Sequence, residues 1–143
     1  MHDSYEAVIP GETIELGSYE VTREEILSFA ETYDPQAFHL EDDPDGPFSG
    51  VVASGWHTAA MTMRLIVDGY LRDARTVGSP GLEGLRWREP VRPGDTLTAT
   101  LTLGEKEHWD ENRGLVHHDI ETHNQHGECV LWVDALVLYP RAD

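Results

Sequence analysis

Two side chains able to exchange protons stand five positions apart in Tyr33-Asp34-Pro35-Gln36-Ala37-Phe38-His39-Leu40-Glu41. A carboxylate and an imidazole at this spacing, just after a helix and on a segment irregular enough to turn both inward, can grip one water molecule. Between them they can take a proton from that water as its oxygen attacks one carbon and deliver a proton to the next. Such a reaction builds negative charge on a neighbouring carbonyl oxygen, which backbone amides are suited to receive. The plainer reading is that Asp-Pro starts a turn and that a loop histidine is merely solvated.

The flanking pattern says what must hold these groups. Residues 12–21, ETIELGSYEV, suit a short strand and a turn. Thr22 and Glu25 have the spacing of a capping box, in which the hydroxyl satisfies an orphan amide and the glutamate reaches back. Ile26, Leu27, Phe29 and Ala30 then share roughly one face, predicting a helix over about 23–33. Asp34-Pro35 ends it, because proline disfavours the helical conformation in the residue before it. Residues 35–50, rich in Asp, Gly and Pro, are expected to be loop. The stretch from Ser54 to Leu71 has helical length and little polar circumference, so it predicts a buried helix, with Ser54 as its cap. Beyond residue 80, GLEGLRWREPV, TLTATLTLGEKEH, GLVHHDIETHN and CVLWVDALVLY alternate approximately, with turns at Pro93-Gly94-Asp95 and Gln125-His126-Gly127-Glu128. Helices first and long antiparallel strands afterwards indicate an α+β fold, one domain over 1–143, with a sheet covering the apolar helix.

Bulk properties narrow the partners. The chain has 27 acidic and 10 basic residues, a formal net charge of -17, and Lys106 is its one lysine. Such a surface repels phosphate backbones and argues against nucleic-acid binding. An acidic, lysine-poor composition also suits a protein adapted to concentrated salt, where self-repulsion is screened. No apolar run approaches the ~18 residues of a membrane span, and the opening residues lack a signal peptide's pattern, so a cytoplasmic protein without membrane partners is expected. Cys129, alone in an apolar run, excludes an intrachain disulfide and is expected to be a buried, inert thiol.

The segment around Asp34 resembles the signature of MaoC-like dehydratases and R-specific enoyl-CoA hydratases, roughly Gly-Asp-x-Asn-Pro-(aliphatic)-His-x-Asp, with the acid–imidazole separation preserved. Phe48-Ser49-Gly50-Val51-Val52-Ala53-Ser54-Gly55 resembles that family's route into its central helix. Arg88-Glu89-Pro90-Val91-Arg92-Pro93-Gly94-Asp95-Thr96-Leu97 is similar to its strand–turn–strand motif. The likeness spans about residues 10–139. Tyr33 replaces the glycine before the aspartate, Gln36-Ala37-Phe38 replaces Asn-Pro-aliphatic, and Ser54 stands where histidine is common.

The resemblance implies a hot-dog fold, an antiparallel sheet wrapped around a long central helix. It implies a hydro-lyase that interconverts a 2-enoyl-CoA thioester and a 3-hydroxyacyl-CoA. Asp34 and His39 would hold and polarise the water, and the Gly55 amide would serve the oxyanion. Ser54, Phe38 and His57 are candidates for substrate contact, with a packed core role as the alternative for His57. Arg86, Arg88 and Arg92 are candidates for the coenzyme A phosphates, with ion pairs to Glu83, Glu89 or Asp95 as their alternative. No cofactor is implied beyond the coenzyme A carried by the substrate, and a homodimer or higher homo-oligomer is implied. His117 and His118 are adjacent, so in a strand they face opposite ways and cannot jointly hold a metal; no metal site is expected. Two readings compete on the same scaffold: an acyl-CoA thioesterase, and a non-catalytic acyl-thioester-binding subunit.

Overall fold

Alternating apolar residues become strands because one face of each is covered. The structure, a computed structural model, describes residues 2–143. Its strands are β1 (Thr13–Glu20), β2 (Gly81–Trp87), β3 (Thr96–His108), β4 (Arg113–His123) and β5 (Cys129–Pro140). They form one antiparallel sheet in the order β1-β3-β4-β5-β2. Leu97, Leu101 and Leu103 of β3, Val116 and Ile120 of β4, and Leu131 and Val133 of β5 point to the inner face and are buried. Each such side chain contributes on the order of 1.5–3 kcal/mol of hydrophobic stabilisation.

Three helices precede or cross that face. Helix α1 (Arg23–Tyr33) starts at Thr22, whose hydroxyl accepts from the Glu25 amide at 3.2 Å. The expected reciprocal arm differs: the Glu25 carboxylate accepts the Tyr19 hydroxyl at 2.6 Å and the Thr22 hydroxyl at 3.4 Å. The segment expected as loop contains one helical turn, α2 (Ala37–Leu40), followed by bends and turns around Asp42–Gly50. Only the later part of that segment is dense in Asp, Gly and Pro; Gln36 to Glu41 are ordinary helix formers.

Helix α3 (Gly55–Ile66) buries Thr58, Met61, Thr62, Leu65 and Ile66 and leans on β1 and β3. A buried hydroxyl pair, Thr62 Oγ1 to Thr122 Oγ1 at 2.8 Å, ties it to β4. The expected helix to Leu71 does continue, but as a π turn over Val67–Leu71. There the helix passes so close to β1 that a Cβ on Gly69 would lie 2.9 Å from the Leu16 backbone. This sheet enclosing one long helical segment is the hot-dog arrangement. No helix among the described residues is long and apolar enough to cross a membrane. Cys129 is half-buried rather than buried, and burial pushes its thiol pKa up.

Candidate active site

Asp34 is the residue on which α1 ends. Its amide still bonds Ala30 O at 2.9 Å, while its backbone has left the helix at φ -151°. Two residues on, the Gln36 carbonyl accepts the His39 amide at 2.9 Å and starts α2. This tight sequence of helix stop, proline and helical turn brings Asp34 Oδ2 to 3.2 Å from His39 Nε2.

Both groups are then fixed by a short extended segment, Val51–Ser54, whose four side chains are buried. His39 Nδ1 lies 2.7 Å from the Val52 carbonyl. A carbonyl can only accept, so Nδ1 carries a proton and Nε2 is the ring atom aimed at Asp34 and the cleft. Ser54 Oγ donates to Asp34 Oδ2 at 2.7 Å, and Gln36 Nε2 donates to Oδ1 at 2.5 Å. The Ser54 hydroxyl, then the Gln36 amide, then the nearby His39 ring hold the Asp34 carboxyl below its ordinary pKa. Asp34 is therefore an anion near neutrality.

A cleft of about 410 Å³ opens above this pair, lined by Asp34, His39, Ser54, Gly55, Trp87 and Arg88 among others. Ser54 does not cap α3 through its side chain, because its hydroxyl is committed to Asp34. The first turn of α3 therefore has no side-chain cap, and Gly55 and Trp56 of that turn line the cleft. Gly55 is required there. A Cβ would come within 2.6–2.8 Å of the Trp87 indole, whose Nε1 donates to the Gly55 carbonyl at 2.7 Å.

The remaining candidates separate. Arg88 borders the cleft; Arg86 and Arg92 do not. None of the three is ion-paired among the described residues. Arg86 donates to the neighbouring Leu85 carbonyl, and Asp95 Oδ2 accepts from the Arg92 backbone amide. Phe38 packs on His39 (centroids 4.5 Å apart) and on Phe48, supporting the ring from behind rather than lining the cleft. The candidacy of His57 for substrate contact is corrected. It lies on another flank of α3, stacked on Phe29 at 4.8 Å, and burial pushes its pKa down. Gln36, Trp56 and Trp87 were not singled out by sequence. A polar amide two residues after an aspartate was the available signal for Gln36; the tryptophans join the site only through tertiary packing.

A five-stranded antiparallel sheet around a central helix, with an acid and an imidazole at that helix's N-terminal mouth, defines a hot-dog protein. The chain belongs to the MaoC like domain family, whose pattern matches residues 6–125. The MaoC-like dehydratase from Rhodospirillum rubrum is 35% identical, with a TM-score of 0.90 over 98% of each chain. The R-hydratase PhaJ1 from Pseudomonas aeruginosa is 22% identical, with a TM-score of 0.71 over 99% of this chain and 88% of that one. Rv0216 from Mycobacterium tuberculosis, described as a double hot-dog fold, is 13% identical. It superimposes with a TM-score of 0.77 over 99% of this chain and 45% of its own length.

Proposed function

We propose that this chain is a hydro-lyase interconverting a 2-enoyl-CoA thioester and a 3-hydroxyacyl-CoA. The observation that carries the reading is the 3.2 Å approach of Asp34 Oδ2 to His39 Nε2 beside the mouth of α3. With Nδ1 committed to a carbonyl, any proton that the imidazole exchanges with Asp34 or the substrate must pass through Nε2. In hydration, the Asp34 carboxylate takes a proton from water as its oxygen bonds the β-carbon, and the imidazolium Nε2 gives its proton to the α-carbon. The product leaves a protonated Asp34 and a neutral His39, and proton passage across the short contact restores the start. Dehydration is the same path reversed. The Gly55 amide receives the charge that grows on the thioester oxygen meanwhile.

Arg88, which lines the cleft, is the residue we assign to a coenzyme A phosphate. A homodimer completes the reading. Among the described residues the edge strand β2 has no partner on its outer side, and it exposes Leu82 and Trp87. On α3, Trp56 and Met63 lie seven residues apart, so both exposed side chains share one stripe. An unpaired edge beside exposed apolar side chains calls for cover, and a second copy of the chain supplies it.

The test is incubation with a panel of trans-2-enoyl-CoAs in molar KCl, following loss of enoyl absorbance and the chirality of the product. Asp34→Asn and His39→Ala should each abolish turnover while leaving the far-UV CD spectrum intact. Full activity in both folded variants overturns the assignment. Free thiol release without loss of the double bond would instead identify a thioesterase.

A further inference from the structure

On the sheet face turned away from α3, a β-bulge gathers side chains that have no part in the cleft. Along β3, Leu97, Ala99, Leu101 and Leu103 point inward, so odd-numbered residues are core residues as far as position 103. The register with β4 then shifts between Leu103 and Lys106. One extra residue reverses the alternation of everything that follows it. Glu105 and Glu107, which an unbroken strand would drive into the core, face outward instead, over His117 of β4. Gly104 permits the close crossing: a Cβ there would sit 3.2 Å from the His117 carbonyl oxygen.

The imidazole is held in one orientation from the other side. Asp134 of β5 presents both carboxylate oxygens to His117 Nδ1, at 3.0 and 3.2 Å. A carboxylate that anchors Nδ1–H leaves Nε2 as the lone-pair atom, the arrangement by which proteins orient a metal-ligating histidine. That Nε2 faces the Glu107 carboxylate in a very close approach. A lone pair and an anion can meet only around a cation, either a proton or a metal ion. Among the described residues no Lys or Arg side chain pairs with Glu105 or Glu107. Lys106, next in sequence to both glutamates, turns to the opposite face, where its ammonium donates to Val8 O and stands 4.4 Å over the Tyr5 ring.

We propose that His117 Nε2, Glu107 and Glu105 form a binding site for a first-row transition dication of the zinc kind, with Asp134 as the hydrogen-bond partner that orients the ring. The three ligand atoms lie within 4.8 Å of one another. A tetrahedral zinc ion with ligands at about 2.0–2.2 Å separates them by about 3.3 Å. Glu105 and Glu107 are exposed, so rotation of their side chains reaches this spacing without moving backbone. One imidazole and two carboxylates leave a fourth position for water, and this mixed N/O set favours zinc, nickel or copper over calcium. The ion would staple β3 to β4 across the bulge, and it has no role in the acyl chemistry proposed above.

The test uses the full chain, stripped with chelator and returned to chelator-free buffer near neutral pH, titrated calorimetrically with zinc chloride. Wild type should take up one Zn²⁺ saturably and gain thermal stability from it. His117→Ala should weaken that binding at least ~30-fold, and Glu107→Gln and Glu105→Gln at least ~10-fold each. Asp134→Asn, which keeps all three ligands but frees the ring, should weaken it about 10-fold. His126→Ala, a histidine outside the cluster, should leave the isotherm unchanged. The three carboxylate variants keep the test decisive if His117→Ala does not fold. An isotherm indifferent to these substitutions, or no saturable binding below millimolar zinc, overturns the proposal and leaves a proton as the cation between His117 and Glu107.

Discussion

Removing one hydroxyl should move the acid limb of the pH–rate profile. Ser54 is buried, and its Oγ donates to Asp34 Oδ2 at 2.7 Å, the leading cause of that carboxyl's lowered pKa. A hydrogen bond to a charged group contributes about 1.5–3 kcal/mol. Because the cleft admits water to Asp34, the lower end applies. Ser54→Ala should therefore raise the Asp34 pKa, and at about 1.4 kcal/mol per tenfold it should cut kcat/KM on the acid limb about 10-fold. The sign follows from the mechanism: Asp34 must be ionised to accept water's proton, so activity is lost as pH falls through its pKa. In the variant that loss begins at a higher pH. The assay is kcat/KM for an enoyl-CoA from neutral pH down to below the ordinary aspartate range, about pH 3, with folding checked by CD at each point. Gln36→Ala, which removes the donor to Oδ1, should shift the limb in the same direction. If the acid limb stays in place in both variants, Asp34 is not the base and the proton path fails.

Other expectations follow from single contacts. Gly55→Ala should lower activity at least ~10-fold and cost about 1–3 kcal/mol of stability, as the new methyl collides with the Trp87 indole; pairing it with Trp87→Ala should recover most of the stability in denaturant melts. Arg88→Ala should raise KM for CoA thioesters about 10-fold with kcat nearly unchanged, and should not affect a short thioester lacking the nucleotide; equal effects on both substrates would remove Arg88 from phosphate binding. Burial pushes the His118 pKa down to about 4, so protons bind the unfolded chain preferentially. Stability present above about pH 6.5 should fall by roughly 3 kcal/mol as pH drops to 4, a loss that His118→Gln should largely remove from urea titrations. With a net charge of -17, Tm should climb from low salt to molar KCl; a flat series would contradict salt adaptation.

The sequence carried the sheet because alternation is a direct imprint of one covered face: β1, β3, β4 and β5 begin and end near the residues that the pattern suggests, while β2 stops at Trp87, short of Val91. The Thr22 cap and the Asp34-Pro35 stop were equally local, so α1 was legible to its ends. What sequence could not reveal depended on contacts between distant segments. Ser54 looks like a helix cap until Asp34, twenty residues earlier, takes its hydroxyl. His57 sits on the same helix as Gly55, yet the rotation of α3 against α1 turns its ring to Phe29. Glu105 and Glu107 lie in an alternating run whose parity changes at a bulge that nothing but Gly104 announces. The adjacent pair His117 and His118 does split as period-two geometry requires, His118 turning inward to the Tyr139 hydroxyl at 2.8 Å. The adjacency of the two histidines says nothing of Glu105 and Glu107, which the neighbouring strand brings over His117.

Why the acid and the imidazole meet at all is explained by the extended segment between them and α3. Val52 uses its amide to hold the Phe38 carbonyl at 3.0 Å and its carbonyl to hold His39 Nδ1 at 2.7 Å, so one residue grips α2 twice. Ala53 bonds Val91 O at 2.8 Å, which anchors the segment to the stretch preceding β3. Ser54 then holds Asp34 and, by ending the segment, sets where the amides of α3 begin. Three consecutive residues thus fix the ring, the carboxylate and the helix mouth relative to one another. The separation of five in sequence brings Asp34 and His39 near each other, but it is this strap that makes their distance a property of the core rather than of a loop. Groups supported in this way lose little geometry to loop motion.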